Sequence, residues 1–161
     1  MKTIHHFFDL DGTLVDSLEA TLQAYASVGI EFGPQHWGKA STDWNCPEDK
    51  HKLKTECYAK YAHLIELGWA FKYWSRLQSK DRSLLTAASK LTYEATKERC
   101  LELAFDLNSC RNTYIKHGVE MKTQVLEEAV NTYDVVYYYE DVESVGLSIL
   151  KRVPTLNLIL P

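Results

Sequence analysis

Short apolar runs alternate with longer segments of helical periodicity along the chain. The apolar runs predict buried strands at residues 3–8, 83–89, 134–139 and 155–160, with a further short strand within residues 105–115. Helical periodicity predicts helices at residues 18–28, from about 47 to 67, at 69–78, at 89–104 and at 119–131. Because strands alternate with helices, we predict an α/β fold with a parallel central sheet.

Start signals and apolar faces can be assigned to several of these helices. Ser17 and Ser89 carry hydroxyl groups placed to cap the helices that follow them. The helix from residue 47 has a predicted apolar face of Leu53, Cys57, Tyr61 and Leu64, with a predicted stop at Gly68. The predicted apolar face of helix 119–131 is Met121, Val125, Ala129 and Val130.

Composition narrows the class of protein. The chain of 161 residues fits one domain, and its apolar fraction of 45% is that of a globular protein. A formal net charge of −4 argues against a nucleic-acid partner, and no apolar run is long enough for a membrane helix. The four scattered cysteines and the absence of a signal peptide are typical of a cytoplasmic protein with reduced thiols.

Polar residues stand at the carboxyl ends of three predicted strands. Asp9 ends the first strand and Asp11 follows it, Thr86 ends the second, and Glu140–Asp141 ends the strand at 134–139. Parallel sheets bind ligands at the carboxyl ends of their strands, so we expect these residues to meet at one edge.

The chemistry of this edge is predicted to be phosphoryl transfer with Mg²⁺. Neighbouring carboxylates repel one another unless a cation neutralises them, and oxygen ligands of this kind suit Mg²⁺. The predicted metal ligands are Asp9, Asp11, Glu140 and Asp141. A carboxylate can attack phosphorus, a second acid can move the proton, and a hydroxyl and an ammonium group can bind phosphoryl oxygens. Thr86 and Lys122 stand in the right order along the chain for the last two roles.

Four stretches resemble the motifs of the haloacid dehalogenase (HAD) superfamily. They are "DLDGTLVDS" at 9–17, "SLLTAAS" at 83–89, "EMKTQVLEEA" at 120–129 and "VVYYYEDVESVG" at 135–146. The first is similar to motif I, DxDGTLxDS, and is the most specific; the others resemble motifs II, III and IV in order. The resemblance spans nearly the whole chain and is to the phosphoglycolate phosphatase and β-phosphoglucomutase type. It implies a Rossmannoid three-layer sandwich with a small α-helical cap inserted after the first strand.

The resemblance also implies a role for each matching residue. Asp9 would be the nucleophile and a metal ligand, and Asp11 the general acid and base, offering its backbone carbonyl to the metal. Thr86 would bind the phosphoryl group, Lys122 would neutralise Asp9, and Glu140 with Asp141 would complete the Mg²⁺ shell. The implied substrate-binding positions are Gly12, Thr13 and Ala87. Lys116 is the alternative motif III lysine, and Ala87–Ala88 and Val142 depart from the usual family pattern.

The segment between motifs I and II is the predicted cap. It covers residues 18–75, leaving 1–17 and 76–161 as the α/β core. All four tryptophans lie in it (Trp37, Trp44, Trp69 and Trp74), either as packing for a small cap or as rings that stack on a nucleobase. Its lysines (Lys39, Lys50, Lys52 and Lys54) form a solvated face or attract a phosphorylated substrate.

Together these patterns predict an Mg²⁺-dependent phosphomonoester hydrolase that works through an aspartyl-phosphate. The expected partner is a small phosphorylated metabolite, with a nucleoside monophosphate as the preferred subclass, and the expected assembly is a monomer or homodimer. A phosphomutase, a polynucleotide-end phosphatase and a non-catalytic binding protein on the same fold stay open as alternatives.

Overall fold

The computed structural model of the chain describes residues 1–39 and 41–161. Its strands are β1 (Ile4–Phe8), β2 (Val15–Asp16), β3 (Glu66–Leu67), β4 (Arg82–Thr86), β5 (Thr113–Ile115), β6 (Val135–Tyr139) and β7 (Asn157–Ile159). Its α-helices are α1 (Leu18–Ser27), α2 (Glu48–Cys57), α3 (Phe71–Trp74), α4 (Lys90–Glu102), α5 (Val119–Thr132) and α6 (Glu143–Arg152). Short 3₁₀ helices cover Pro34–His36, Ser41–Trp44, Tyr58–Leu64 and Ser79–Asp81.

A five-stranded parallel sheet in the order β5-β4-β1-β6-β7 forms the centre of the molecule. Phe8, the last residue of β1, is in register with Leu84 on one side and Tyr139 on the other. The ends of β1, β4 and β6 therefore lie side by side, which confirms the predicted α/β architecture and its parallel sheet.

The two faces of the sheet are covered by separate apolar clusters. Phe8, Leu84 and Tyr139 pack on the face that carries α4 and the segment between β2 and β3. Phe7, Leu85 and Tyr138 face the other way, in a cluster that includes side chains of α5 and α6. Alternate residues of each strand point to opposite faces, so both faces are apolar and the fold is the predicted three-layer sandwich.

The helix predicted from residue 47 to 67 is wrong in its length, and its predicted apolar face is wrong at Leu53, although Tyr61 and Leu64 do pack against the core. Helix α2 ends at Cys57, a 3₁₀ helix follows, and the chain is extended at Glu66–Leu67. Leu53 is 47% exposed, whereas Lys54 and Tyr58 are buried. Leu53 is turned to solvent because the inward side of this segment, with Lys54 and Tyr58, lines a cavity.

Helix α5 matches its predicted range, and its predicted apolar face is right at Val125, Ala129 and Val130, which pack in the core, but wrong at Met121. Met121 is 41% exposed, and the buried positions are Lys122, Thr123, Leu126 and Ala129. Because the Lys122 side chain points towards the carboxyl end of β1, the neighbouring Met121 side chain points to solvent. Helix α6 was not predicted. In the structure its Gly146 packs close to Leu158 of β7.

The inserted segment leaves and rejoins the sheet domain through a short antiparallel ribbon. Val15 pairs with Leu67, and Asp16 pairs with Glu66. Beyond this ribbon, Trp74 packs edge-on against Phe8 and belongs to the same apolar cluster as β1. The boundary of the cap at residue 75 remains a prediction. Across the described ranges, no helix combines the length and apolar character needed to cross a membrane.

Candidate active site

A cavity of about 500 Å³ opens at the carboxyl ends of the central strands. Its wall includes seven of the nine predicted site residues, namely Asp9, Asp11, Thr86, Ala87, Lys122, Glu140 and Asp141. The opposite wall is formed by the inserted segment, through residues of α1, α2 and the loop between them. Side chains from distant parts of the sequence therefore share one cavity.

Asp9 and Lys122 form a buried ion pair at the floor of this cavity. The Lys122 ammonium donates to Asp9 Oδ1 at 2.9 Å and lies 3.6 Å from a Glu140 oxygen. It also donates to the Tyr138 hydroxyl at 3.3 Å, and that hydroxyl in turn donates to Glu140. These contacts hold the ammonium and both carboxylates in fixed positions relative to one another.

Electrostatics in this network favour a bound cation. Burial raises the pKa of Asp9 more than Lys122 lowers it, and the nearby Glu140 carboxylate raises it further. Burial would lower the pKa of Lys122, but Asp9 and Glu140 outweigh it and raise that pKa. One ammonium group does not fully compensate the clustered acids, so a second positive charge would stabilise their ionised forms.

Asp141 stands beside this pair and is held by a tryptophan of the inserted segment. The Trp37 indole N–H donates to Asp141 Oδ2 at 2.6 Å, and the Thr13 hydroxyl approaches Oδ1 at 3.4 Å. Burial raises the pKa of Asp141 to about 6, and Asp9 adds to the rise while Trp37 opposes it. Gly12 has a φ of +78°, and a Cβ at this position would lie 2.1 Å from Asp141 Oδ2. Only glycine leaves Asp141 this room.

The three carboxylates form a donor set that fits Mg²⁺. Asp9, Glu140 and Asp141 each offer one oxygen within 4.8 Å of the others. Mg²⁺ binds a small number of carboxylates and keeps other positions for water and phosphate oxygens. The side chain of Asp11 lies outside this cluster, and the backbone carbonyl proposed for it as a metal ligand remains a prediction.

Asp11 is held on the other side of the cavity by a serine. The Ser17 hydroxyl donates to Asp11 Oδ1 at 2.7 Å. The predicted capping role of Ser17 is therefore wrong: no side-chain cap bond forms, and the first helical N–H, of Leu18, donates to Asp16 instead. Burial raises the pKa of Asp11, which favours the protonated form that a general acid needs.

The remaining predicted site residues occupy different positions. Thr86 is buried and accepts a hydrogen bond from the backbone N–H of Ala88 at 3.0 Å, while Ala87 is exposed at the cavity wall. Gly12 lines a neighbouring cavity, and Thr13 is fully buried. Lys116 donates its backbone N–H to the Thr86 carbonyl, whereas Lys122 is the lysine whose ammonium contacts Asp9.

Two residues of the inserted segment contribute to the site through positions that the sequence analysis did not predict. Trp37 bonds directly to Asp141, and Lys54 alone among the four predicted surface lysines is buried in the cavity wall. Trp74 packs in the core, and the Trp69 indole donates to the Gly12 carbonyl at 2.9 Å.

The fold is the one that HAD-superfamily hydrolases and phosphatases have. CbbY from Rhodobacter sphaeroides, solved with phosphate, has a TM-score of 0.67 at 17% identity, over 98% of this chain and 85% of CbbY. A HAD family hydrolase from Deinococcus radiodurans, with bound phosphate and sodium, has a TM-score of 0.60 at 12% identity, over 99% and 80% of the two chains. A hydrolase from Pseudomonas syringae has a TM-score of 0.64 at 18% identity, over 96% and 82%. Neither a protein-family profile nor the sequence of a curated protein matches the chain.

The Trp37–Asp141 contact leads to a prediction about metal affinity. Replacing Trp37 with Phe keeps an aromatic ring but removes the N–H that orients Asp141. Groups that orient a metal ligand are typically worth about 10- to 100-fold in affinity, so we expect the Mg²⁺ dissociation constant of Trp37→Phe to rise by about tenfold. Calorimetric titration with Mg²⁺ measures this directly.

Trp44→Phe is the matched control for this experiment. Trp44 lies in the same segment and stacks on His36 with ring centroids 4.4 Å apart, away from the acids. We expect its Mg²⁺ affinity to equal that of the parent protein. Equal affinities in all three proteins would remove Trp37 from the set of positioning residues.

Proposed function

We propose that the protein is an Mg²⁺-dependent phosphomonoester hydrolase acting through a phosphorylated Asp9. The observation that carries the proposal is the carboxylate cluster of buried Asp9 and Glu140 with half-buried Asp141, which lies beside Lys122 at the end of the central sheet. Such a cluster is costly to bury without a cation. The HAD fold and the motif I pattern add independent support.

In the first step Asp9 attacks the phosphorus of the substrate. One carboxylate oxygen of Asp9 forms the new P–O bond while the bond to the substrate oxygen breaks, and Asp11 donates a proton to the departing alcohol. Lys122 and the Thr86 hydroxyl bind phosphoryl oxygens as negative charge shifts during transfer. Asp11 enters this step protonated and leaves it ionised.

In the second step water releases the phosphate. Asp11, now a carboxylate, takes a proton from the attacking water, whose oxygen forms a bond to phosphorus as the bond to Asp9 breaks. Inorganic phosphate leaves, and both aspartates return to their starting forms. The Ser17 hydroxyl bond to Asp11 holds the side chain in one place for both proton transfers.

Asp9, Glu140 and Asp141 would hold the cation. Bound Mg²⁺ would neutralise the acids and draw charge from the transferring phosphoryl group. The chain's contribution is to fix the ligands: Tyr138 and Lys122 orient Glu140, and Trp37 orients Asp141.

The cavity supports a small organophosphate as the substrate. CbbY has been solved with xylulose-1,5-bisphosphate, a sugar phosphate, at a TM-score of 0.67 to this chain. A nucleoside monophosphate is the second candidate, because Tyr25, Phe32 and Trp37 line the same cavity and bases stack on aromatic rings. Tyr25 and Phe32 already stack on each other with ring centroids 4.9 Å apart, which favours the smaller substrate.

Phosphate release from a substrate panel tests the proposal. The panel contains sugar phosphates, nucleoside monophosphates and 3′-phosphorylated oligonucleotides, each with Mg²⁺ or with excess EDTA. We expect release from at least one small substrate to fall by about 100-fold or more in EDTA, because the buried acids then lack their counter-charge. Release that is insensitive to EDTA would contradict the metal site, and silence on every substrate would contradict the hydrolase proposal.

A further inference from the structure

The carboxyl end of β4 is held in place by the segment that follows β5. The two strands pair in parallel, and beyond their last pair the backbone N–H of Lys116 donates to the Thr86 carbonyl at 2.8 Å. The backbone pairing ends where Gly118, with a φ of +93°, turns the chain into helix α5. The next carbonyl of the loop after β4, that of Ala87, is bonded by a side chain instead, since His117 Nδ1 lies 3.1 Å from it.

The partner of the His117 ring determines which ring nitrogen carries hydrogen in this contact. A carbonyl oxygen only accepts hydrogen bonds, so Nδ1 is the donor and carries the proton. His117 stands at the wall of the active-site cavity, next to the loop that contains Ala87 and Ala88. Neither alanine has a side chain that forms hydrogen bonds. A polar side chain that fixes this loop must therefore come from another segment, and His117 supplies it.

The peptide between Ala87 and Ala88 connects His117 to the Thr86 hydroxyl. Its carbonyl accepts from His117 Nδ1, and its N–H donates to Thr86 Oγ1 at 3.0 Å. A trans peptide unit is planar, with its C=O and N–H pointing in opposite directions, so a rotation that moves one end also moves the other. Fixing the carbonyl therefore keeps the N–H directed at Thr86 Oγ1.

This hydrogen bond places the Thr86 hydroxyl and leaves it able to donate. A threonine side chain occupies one of a few χ1 rotamers, which exchange the positions of its hydroxyl and its methyl group. The Ala88 N–H favours the rotamer with the hydroxyl in its present position and uses one of the two lone pairs of the oxygen. The hydroxyl hydrogen stays available for the phosphoryl oxygen that the proposed mechanism assigns to Thr86.

We propose that His117 is a positioning residue, which holds the Thr86 hydroxyl in place for phosphoryl transfer through the Ala87–Ala88 peptide. This rests on the proposed hydrolase function and adds a residue to its site. Without the His117 ring the peptide can rotate, the Ala88 N–H leaves Thr86 Oγ1, and the hydroxyl loses its fixed direction. The effect falls on kcat rather than on KM, because the hydroxyl bond strengthens as negative charge shifts during transfer.

Two amide substitutions of different length separate this role from a direct contact with the substrate. The side-chain nitrogen of Asn stands as many bonds from the backbone as Nδ1 of histidine, whereas that of Gln reaches one bond further, as Nε2 does. His117→Asn should therefore keep the bond to Ala87 and stay within about twofold of the parent kcat. His117→Gln and His117→Ala should each lose about 3- to 10-fold in kcat, the value of one hydrogen bond, with thermal melts like that of the parent.

A double-mutant cycle tests whether the effect passes through Thr86. Thr86→Val should lose about 100-fold in kcat, because it lacks the hydroxyl that binds the phosphoryl group. Adding His117→Ala to Thr86→Val should then cost less than about twofold, since no hydroxyl remains to be positioned. The matched control is His63→Ala, at an exposed histidine of the 3₁₀ helix Tyr58–Leu64, which should keep the parent kcat.

Orthovanadate binding in the presence of Mg²⁺, measured by calorimetry, gives a second readout that does not depend on turnover. This oxyanion takes the five-coordinate geometry of a phosphoryl group in transfer, so we expect its affinity to fall in the same variants as kcat. Unchanged kcat and vanadate affinity in His117→Ala would overturn the proposal. Full additivity in the cycle would overturn it too, as would rescue by His117→Gln instead of His117→Asn, since His117 would then act through Nε2. Vanadate binding that depends on His117 and Thr86 as expected, without phosphate release from any substrate, would instead contradict the hydrolase activity and leave the positioning role standing.

Discussion

Asp9→Asn is expected to abolish phosphate release, with a loss of about 1,000-fold or more. The amide is a poor nucleophile and cannot form the acyl phosphate through which the reaction is proposed to run. The substitution is close to isosteric, and it removes one of the buried acids that repel one another. We therefore expect the folded protein to persist, with Lys122 retaining Glu140 at 3.6 Å as its partner. Phosphate release with saturating Mg²⁺ and a circular dichroism melt measure the two effects.

Asp16→Asn provides the matched control for this substitution. Asp16 lies in the same motif but is exposed, and its carboxylate accepts only the backbone N–H of Leu18 in the described structure. Its activity should stay within about twofold of the parent, because surface substitutions of this kind have small effects. Residual activity above about 1% in Asp9→Asn would point to a different nucleophile.

The strand-end residues could be predicted from sequence because their placement follows from local pattern and topology. Asp9, Thr86 and Glu140 each follow or end a short apolar run, and parallel pairing then brings the strand ends together. The same argument accounts for the confirmed parallel sheet.

Residues of the inserted segment could not be placed in this way. Trp37 meets Asp141 across more than a hundred positions of sequence, and no periodicity encodes such a contact. Lys54 was predicted together with three other lysines either to form a solvated face or to attract a phosphorylated substrate, and nothing in the sequence distinguished it from the other three. The cavity wall, rather than the hydrophobic pattern, decides which residue of α2 is buried there, and in α5 Lys122 is likewise buried while Met121 is exposed.

Lys122→Met is expected to destabilise the metal-free protein by about 3–5 kcal/mol and to reduce activity by about 100-fold or more. The methionine fills a similar volume but leaves Asp9 and Glu140 without their shared counter-charge. The cost should shrink as pH falls towards 5, because the raised pKa of Asp9 lets that carboxyl take up a proton. Mg²⁺ should recover part of the lost stability by supplying positive charge. Urea unfolding in EDTA and in Mg²⁺, at two pH values, measures the loss of stability, its dependence on pH and its recovery by Mg²⁺.

The cause of this destabilisation can be separated from a packing defect by two further variants. In Lys122→Met/Asp9→Asn one of the uncompensated charges is gone, so the double variant should be more stable than Lys122→Met in EDTA. Lys116→Met, which removes the other lysine near motif III, should stay within about 0.5 kcal/mol of the parent and keep its activity. If Lys116→Met lost activity while Lys122→Met kept it, the ammonium that neutralises the transferring phosphoryl group would be the one on Lys116. Lys122 would then serve only to balance the buried acids.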